Sequence, residues 1–182
     1  MRVYSRNMKT LFGLLPVLTL FIFGHSVQGL SEETALASPV PLKVTLPPTL
    51  LDSKGQVVPS HSMEGKLVGL YFSASWCGPC RAFTPSLIKF RDAHKEKFEV
   101  VLVGADGSAK AQSNYMKKYK MPWLALENQS RAAKEISKSL GVSSIPCLVV
   151  LDTDGNVLSK NGKNEIARTG EGAMSVWKKL DE

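Results

Sequence analysis

The chain has 182 residues, of which 43% are hydrophobic and 21% are charged, and its formal net charge is +7. This length supports one domain with a hydrophobic core rather than two, and the composition is that of an ordinary soluble globular protein. Three cysteines are too few for a small protein held together by disulfides, so we expect the cysteines to serve chemistry.

The first 29 residues depart from this composition. A basic start is followed by an apolar stretch, residues 11–24, and then by the small residues Val27 and Gly29 at positions −3 and −1 of a cleavage site. This order predicts a secretory signal peptide over residues 1–29, with Met8 as an alternative start. Because Gly29 is an imperfect cleavage residue, an uncleaved membrane anchor is the main alternative, and a cytosolic chain is the third.

An exported domain would be only mildly basic. Residues 1–29 hold three of the 23 basic residues and none of the 16 acidic residues, which leaves a net charge of +4. The lysines of residues 110–120 lack the accompanying aromatic residues and arginines of a nucleic-acid surface. We therefore expect a solvated helix face and no nucleic-acid partner.

We predict a secreted or periplasmic monomer, which would be membrane-anchored if the signal stays uncleaved.

The predicted elements alternate between strands and helices. Residues 30–46 are polar and contain prolines, as in a flexible tether, which leaves residues 47–182 as the domain. Its first element is a β-hairpin at residues 50–58 with a Ser-Lys-Gly turn. Apolar runs predict strands, and apolar periodicity predicts helices. The strands are expected at residues 67–72, 98–104, 123–126, 147–151 and 157–159, and the helices at residues 81–96, 109–118, 131–140 and 171–180. This order predicts an α/β fold, with a central mixed β-sheet flanked by helices and an N-terminal hairpin extension.

A Cys-x-x-Cys motif directly follows the first predicted central strand and precedes a predicted helix. The segment Trp76–Arg81 has the layout of a dithiol/disulfide redox site, since one helical turn brings the two sulfurs within bonding distance. A thiolate at a helix N-terminus is stabilised by unpaired N–H groups and by the helix dipole. We expect Cys77 to have a lowered pKa and to attack disulfides, and Cys80 to resolve the mixed disulfide.

Two structural interpretations of the cysteine pair are weaker. A zinc site needs four ligands, but only Cys147 and three histidines without ligand spacing remain, so we predict no metal. A structural disulfide would more often link distant segments. The segment Asp152–Asn156 resembles a calcium loop, but its closing position falls on Lys163, and a hairpin turn explains it better.

Several stretches resemble one known family. The strand, the Cys-x-x-Cys motif, the helix and the later Ser144–Pro146 before a strand resemble the thioredoxin fold. The segments Gly69–Cys77, Arg81–Pro85 and Met121–Leu126 are similar to the tryparedoxin and nucleoredoxin group. The predicted secreted and tethered layout is also similar to the TlpA-like reductases of bacterial envelopes. The resemblance covers roughly residues 47–180 and implies a thioredoxin-like fold.

The resemblance also implies the roles of the site residues. Cys77 would be the nucleophile, Cys80 the resolving thiol, and Pro146 a cis-proline beside them. A cis bond would turn the backbone of Ile145 toward the pair, where it could bind an extended substrate segment, and an ordinary trans proline is the alternative. The predicted substrate-binding residues are Trp76, Gly78, Pro79, Ile145 and Pro146.

The sequence departs from the family at three positions. Gly78 gives Cys-Gly-Pro-Cys, as in thioredoxin, where tryparedoxins and nucleoredoxins usually have Cys-Pro-Pro-Cys. Tyr71 stands where thioredoxin has a buried acid, which leaves Asp106 or water as the proton acceptor for Cys80. Cys147 stands where many relatives have threonine. We expect it to be a buried inert thiol, with a third redox sulfur as the alternative.

These features predict a secreted or envelope thiol–disulfide oxidoreductase that reduces protein disulfides, since Gly78-Pro79 resembles the reducing thioredoxin motif. A disulfide oxidase or isomerase of secreted proteins is one alternative. A redox-switched partner-binding module with little turnover is another, because this fold serves many functions. No metal, nucleotide or flavin cofactor is implied. Electrons would come from a thiol donor, and for an envelope protein the resemblance implies a membrane-embedded donor.

Overall fold

A computed structural model describes residues 42–181 of the chain. The predicted signal peptide at residues 1–29, and the tether up to residue 41, lie outside the described residues. The strands are β1 Thr49–Leu51, β2 Val57–Pro59, β3 Leu67–Ser73, β4 Phe98–Gly104, β5 Leu124–Ala125, β6 Cys147–Leu151 and β7 Val157–Ser159. The helices are α1 Gly78–Ala93, α2 Ala109–Lys118, α3 Arg131–Ser139, α4 Gly162–Thr169 and α5 Ala173–Asp181. These bounds reproduce the predicted strands closely.

The strands form one mixed sheet in the order β2-β1-β5-β4-β3-β6-β7. Strand β3 pairs in parallel with β4 and antiparallel with β6. All seven residues of β3 are buried, as expected for a strand that is covered on both faces. The N-terminal hairpin joins the sheet because β1 pairs antiparallel with β5. The predicted mixed α/β sheet is confirmed, and the hairpin forms one of its edges.

Helices cover both faces of the sheet. Side chains alternate along β3, so Tyr71 enters one core cluster and Phe72 the other. The first cluster includes residues of α1, α2, α4 and α5, and its aromatic centre is the fully buried Trp177 against Phe90 and Phe98. The second cluster includes Ala133 and Ile136 of α3. Helices α3 and α5 therefore pack on opposite faces.

The helices differ from the prediction in three places. The sequence predicts no helix where the structure has α4, because Gly162 and Ile166 alone among the residues of that helix are buried and give no apolar periodicity. Helix α1 begins at Gly78 instead of residue 81, so the Cys-x-x-Cys motif forms its first turn. The last helix begins at Ala173, after a 3-10 turn at Gly170–Gly172.

The domain extends further toward the N-terminus than predicted. Lys43 forms an isolated β-bridge with Asn156. Val44 is buried, and its N–H donates to the carbonyl of Gly155 at 2.7 Å. Residues 42–44 therefore pair with the β6–β7 hairpin, and the domain includes residue 42, whereas the predicted boundary was residue 47.

The segment Asp152–Asn156 forms the predicted hairpin turn. Oδ1 of Asp152 accepts the backbone N–H groups of Asp154 and Asn156 at 2.8 and 2.7 Å, and Oδ2 accepts the Asn156 amide at 2.7 Å. The Asp152 carboxylate therefore accepts hydrogen bonds from its own turn. Within residues 42–181, no cluster of three or more His, Cys, Asp or Glu side chains could hold a metal ion. In the same part of the chain, no helix is both long enough and apolar enough to cross a membrane.

Candidate redox-active site

The predicted site residues meet at the carboxyl ends of the central parallel strands. The carboxyl ends of the parallel strands β3 and β4 lie there, and the antiparallel strand β6 begins at the same edge because Cys147 pairs with Phe72. The Cys-x-x-Cys motif follows β3, and the Ile145–Pro146 pair precedes β6. The topology thus brings together two motifs that are far apart in the sequence.

Cys77 and Cys80 form a disulfide at the start of α1, with their Cα atoms 5.2 Å apart. Cys77 is the N-cap of the helix, and its Sγ accepts the backbone N–H of Cys80 at 3.2 Å. After reduction, this N–H and the positive end of the helix dipole favour the thiolate form of Cys77. Pro79 lies in the first turn, where a missing N–H has no cost.

The two sulfur-bearing residues differ in their access to solvent. Cys77 is 6% exposed, whereas Cys80 is fully buried, and the side chain of Trp76 beside them is 66% exposed. Gly78 and Pro79 are exposed as well. A substrate disulfide can therefore reach Cys77 but not Cys80. This asymmetry fits Cys77 as the attacking group and Cys80 as the resolving thiol.

The Ile145–Pro146 peptide bond is cis, as the resemblance implied. The carbonyl oxygen of Ile145 lies 3.9 Å from Sγ of Cys77. The side chain of Ile145 packs against the small cluster of Ala74, Cys77 and Cys80. Ile145 and Pro146 are half-buried, so an incoming segment can reach the backbone beside the redox pair.

A network of buried hydroxyl groups supports the first turn of α1. Oη of Tyr71 donates to the carbonyl of Cys80 at 2.9 Å, and Oγ1 of Thr84 lies 2.9 Å from the same carbonyl. Oγ1 of Thr84 also lies 3.1 Å from Oη of Tyr71 and 3.1 Å from Oη of Tyr115. The network ends at Oγ of Ser73, 2.9 Å from Tyr115. From the sequence, Tyr71 was identified only as the residue that stands in place of an acid, and the other members of the network were not predicted.

The phenol of Tyr71 is neutral in this network. Burial raises the pKa of Tyr71 well above its ordinary value, so the phenol stays protonated at physiological pH. Tyr71 therefore cannot take the proton of Cys80 and acts as a donor to the backbone. Where thioredoxin has a buried acid, this chain has a structural hydroxyl group.

Asp106 binds the loop before the redox pair. It is 1% exposed, and its Oδ1 accepts the N–H and the hydroxyl of Ser75 at 3.0 and 2.6 Å. No hydrogen bond joins Asp106 to Cys80 among residues 42–181. The Oδ2 atom is buried and has no partner in this part of the chain. The geometry thus shows Asp106 fixing the backbone that leads into Trp76, and it shows no direct path for a proton from Cys80.

Cys147 is a half-buried free thiol at the start of β6. It packs against the second core cluster. Burial raises the pKa of this thiol, and the nearby charges of Lys160 and Lys163 offset that effect only in part. At neutral pH Cys147 is therefore mostly in the unreactive thiol form.

Replacing Tyr71 by Phe tests the structural role of the hydroxyl network. The variant leaves buried hydroxyl and carbonyl groups with one partner fewer, so we expect the free energy of unfolding in urea to fall by about 1–2 kcal/mol. The pH midpoint of Cys77 alkylation should not move, because the phenol contacts the Cys80 carbonyl and no sulfur atom. Tyr119→Phe is the matched control, since the Tyr119 hydroxyl makes no hydrogen bond within residues 42–181. A clear shift of the Cys77 midpoint would show that Tyr71 takes part in proton transfer.

Alkylation of the reduced protein tests the difference between Cys77 and Cys147. With iodoacetamide at neutral pH, mass spectrometry should find Cys77 modified well before Cys147, because the raised pKa of Cys147 keeps its thiolate fraction low. The rate at Cys147 should increase as the pH rises toward that pKa, and unfolding in urea should remove the difference. Equal rates in the folded protein at neutral pH would contradict the assignment of Cys147 as an inert thiol.

Comparison with known proteins identifies the family. The family model described as thioredoxin-like matches residues 65–157. Tryparedoxin of Trypanosoma brucei brucei is 41% identical over 134 residues, which cover 71% of this chain and 91% of that protein. Nucleoredoxin of Bos taurus is 39% identical over 132 residues, covering 70% of this chain and 30% of that protein. The chain thus spans about a third of the length of the curated nucleoredoxins it matches.

The solved structures agree with the sequence matches. The structure of tryparedoxin from Trypanosoma brucei superposes with a TM-score of 0.64 at 42% sequence identity, covering 72% of this chain and 94% of that one. The native tryparedoxin I of Crithidia fasciculata gives a TM-score of 0.62 at 43% identity, covering 69% and 88%. These matches confirm the predicted thioredoxin-like fold. The chain belongs to the thioredoxin-like family, in its tryparedoxin and nucleoredoxin group, and it has the Cys-x-x-Cys pair of a thioredoxin-type thiol–disulfide oxidoreductase.

Proposed function

We propose that this protein reduces disulfide bonds in other proteins, with Cys77 as the attacking thiolate and Cys80 as the resolving thiol. The observation that carries the proposal is the unequal burial of the two cysteines at the N-terminus of α1. The exposed ring of Trp76 and the backbone of Ile145 supply the surface on which an extended substrate segment would lie.

The reaction conserves atoms and electrons through two exchange steps. The Cys77 thiolate attacks one sulfur of the substrate disulfide, forms a mixed disulfide and releases the first substrate thiol. The Cys80 thiol then loses its proton and attacks Sγ of Cys77, which releases the second substrate thiol. Two electrons pass to the substrate, and the protein ends in the Cys77–Cys80 disulfide. A separate thiol donor must reduce that disulfide before the next turnover.

The reducing direction is supported by the Gly78-Pro79 pair, which resembles the motif of reducing thioredoxins. The hydrogen bond from the Cys80 N–H to Cys77 supports Cys77 as the nucleophile near neutral pH, but it does not set the direction, because stabilising the reduced form of the pair raises its reduction potential. A disulfide oxidase or isomerase would use the same residues, so the reduction potential separates these activities.

The proposal includes export of the protein. It is supported by the basic start, the apolar stretch at residues 11–24 and the small residues before position 30. In an envelope, the thiol donor would be membrane-embedded. N-terminal sequencing of the protein from separated cell fractions checks this part, and an intact N-terminus in the soluble cytoplasm would exclude it.

Cysteine variants test the mechanism in an insulin-reduction assay with dithiothreitol. The wild-type chain should accelerate precipitation of the insulin B chain, and Cys77→Ser should reduce the rate to background, since it removes the nucleophile. In a separate reaction, after reduction of the chain and removal of dithiothreitol, Cys80→Ser should accumulate a mixed disulfide through Cys77, visible on a non-reducing gel. Cys147→Ser is the control and should keep nearly the full rate.

Two outcomes would contradict the proposal. Full activity of Cys77→Ser would exclude the assigned nucleophile. A wild-type chain without turnover, but with binding that depends on its oxidation state, would identify a redox-switched binding module.

A further inference from the structure

A groove runs along helix α3 and reaches Trp76 and Ile145 beside the redox pair. Its volume is about 520 Å³, within the range of clefts that hold ligands. Its apolar surface comes from Phe72, Trp76, Val103, Ala133, Val142 and Ile145. We call this cleft the α3 groove.

One wall of the α3 groove carries unpaired positive charge. Lys134 and Lys138 stand four residues apart on α3, so they share a face of the helix, and both line the groove and are exposed. No carboxylate of residues 42–181 lines the groove. The remaining charges of α3 cancel, because Arg131 pairs with Glu135 at 2.6 Å. Neither groove lysine has an ion-pair partner among residues 42–181.

The opposite side of the redox pair is also basic. Arg81 and Lys118 line a smaller cleft of about 280 Å³ that reaches Ser75. The acidic group on this side, Asp106, is buried and bound to Ser75, so it offers little negative charge at the surface. A substrate that approaches Cys77 therefore meets lysine or arginine on both flanks.

One end of the groove lies beside the point of reaction. Ile145 lines the groove, and its carbonyl oxygen lies 3.9 Å from Sγ of Cys77. A protein segment whose disulfide meets Cys77 would therefore extend over the apolar floor and pass the two lysines. An apolar floor with a positively charged wall favours a segment that carries both apolar and acidic side chains.

We propose that the α3 groove binds a segment of the partner protein in which acidic side chains flank the reactive disulfide. This inference rests on the proposed reductase function and adds the substrate class. Opposite charges raise the rate of encounter and select among partners, so the effect should be largest on the second-order rate constant.

Three synthetic peptides test the proposal. Each contains the same internal disulfide, flanked on both sides by Asp, Ser or Lys, and each is mixed with the reduced full-length chain in a single-turnover reaction. Each rate constant is divided by the rate with dithiothreitol, a neutral reductant, to correct for the intrinsic reactivity of the peptide. At low ionic strength the Asp peptide should react roughly tenfold or more faster than the Lys peptide. Added salt should reduce this preference.

A pair of charge-reversed variants assigns the preference to the groove. Lys134→Glu combined with Lys138→Glu should abolish or reverse it. Lys178→Glu combined with Lys179→Glu makes the same change in net charge on α5, which packs on the other face of the sheet, and should retain the preference. All variants should reduce the small neutral hydroxyethyl disulfide at the wild-type rate, which shows that the fold and the redox pair are intact.

The outcomes separate this inference from the proposed function. Equal corrected rates for the three peptides would overturn the inference and leave the reductase function standing. A preference that survives Lys134→Glu/Lys138→Glu would overturn the assignment to the α3 groove. If the Lys134→Glu/Lys138→Glu variant lowered the rate of reduction of glutathione disulfide but of none of the peptides, the ligand of the α3 groove would be a small anionic disulfide and not a protein segment. Failure to reduce any peptide or hydroxyethyl disulfide would refute the reductase function itself.

Discussion

The hydrogen bond from the backbone N–H of Cys80 to Sγ of Cys77, 3.2 Å long, is the contact on which the site depends. It exists because Cys77 caps α1 and the helix begins immediately after it. The same turn buries Cys80 completely and leaves a small part of Cys77 exposed beside Trp76. One local geometry therefore decides which sulfur meets the substrate, and it stabilises that sulfur as a thiolate.

The rest of the fold holds this turn in place without adding a charge beneath it. Tyr71 from β3 and Thr84 from α1 both reach the Cys80 carbonyl, so the strand and the helix are joined directly under the redox pair. Asp106, after β4, fixes Ser75 in the loop before Trp76. Tyr71 stays protonated and so cannot accept the Cys80 proton, and Asp106 makes no hydrogen bond to Cys80 within residues 42–181.

The sequence predicted the central strands because β3 and β4 are apolar along almost their whole length. It predicted the redox pair because a Cys-x-x-Cys motif between a strand and a helix is typical of thiol–disulfide exchange. Helix α4 could not be predicted, since it buries only Gly162 and Ile166. The hydroxyl network could not be predicted from the sequence either. Its members come from three elements, and each one alone is compatible with an ordinary core position. The sequence identified Asp106 as an acid that follows a strand. Its hydrogen bonds to Ser75 could not be predicted, because they form only once β3 and β4 lie side by side.

The reduction potential of the Cys77/Cys80 couple tests the central claim most directly. It is measured by titrating the full-length Cys147→Ser chain against dithiothreitol and glutathione buffers, with the fluorescence of the adjacent Trp76 or thiol alkylation as the readout. The account predicts a reversible two-electron transition near or below about −250 mV, in the range of reducing members of this fold. A midpoint near about −120 mV would contradict it, because such a couple donates disulfides to its partners.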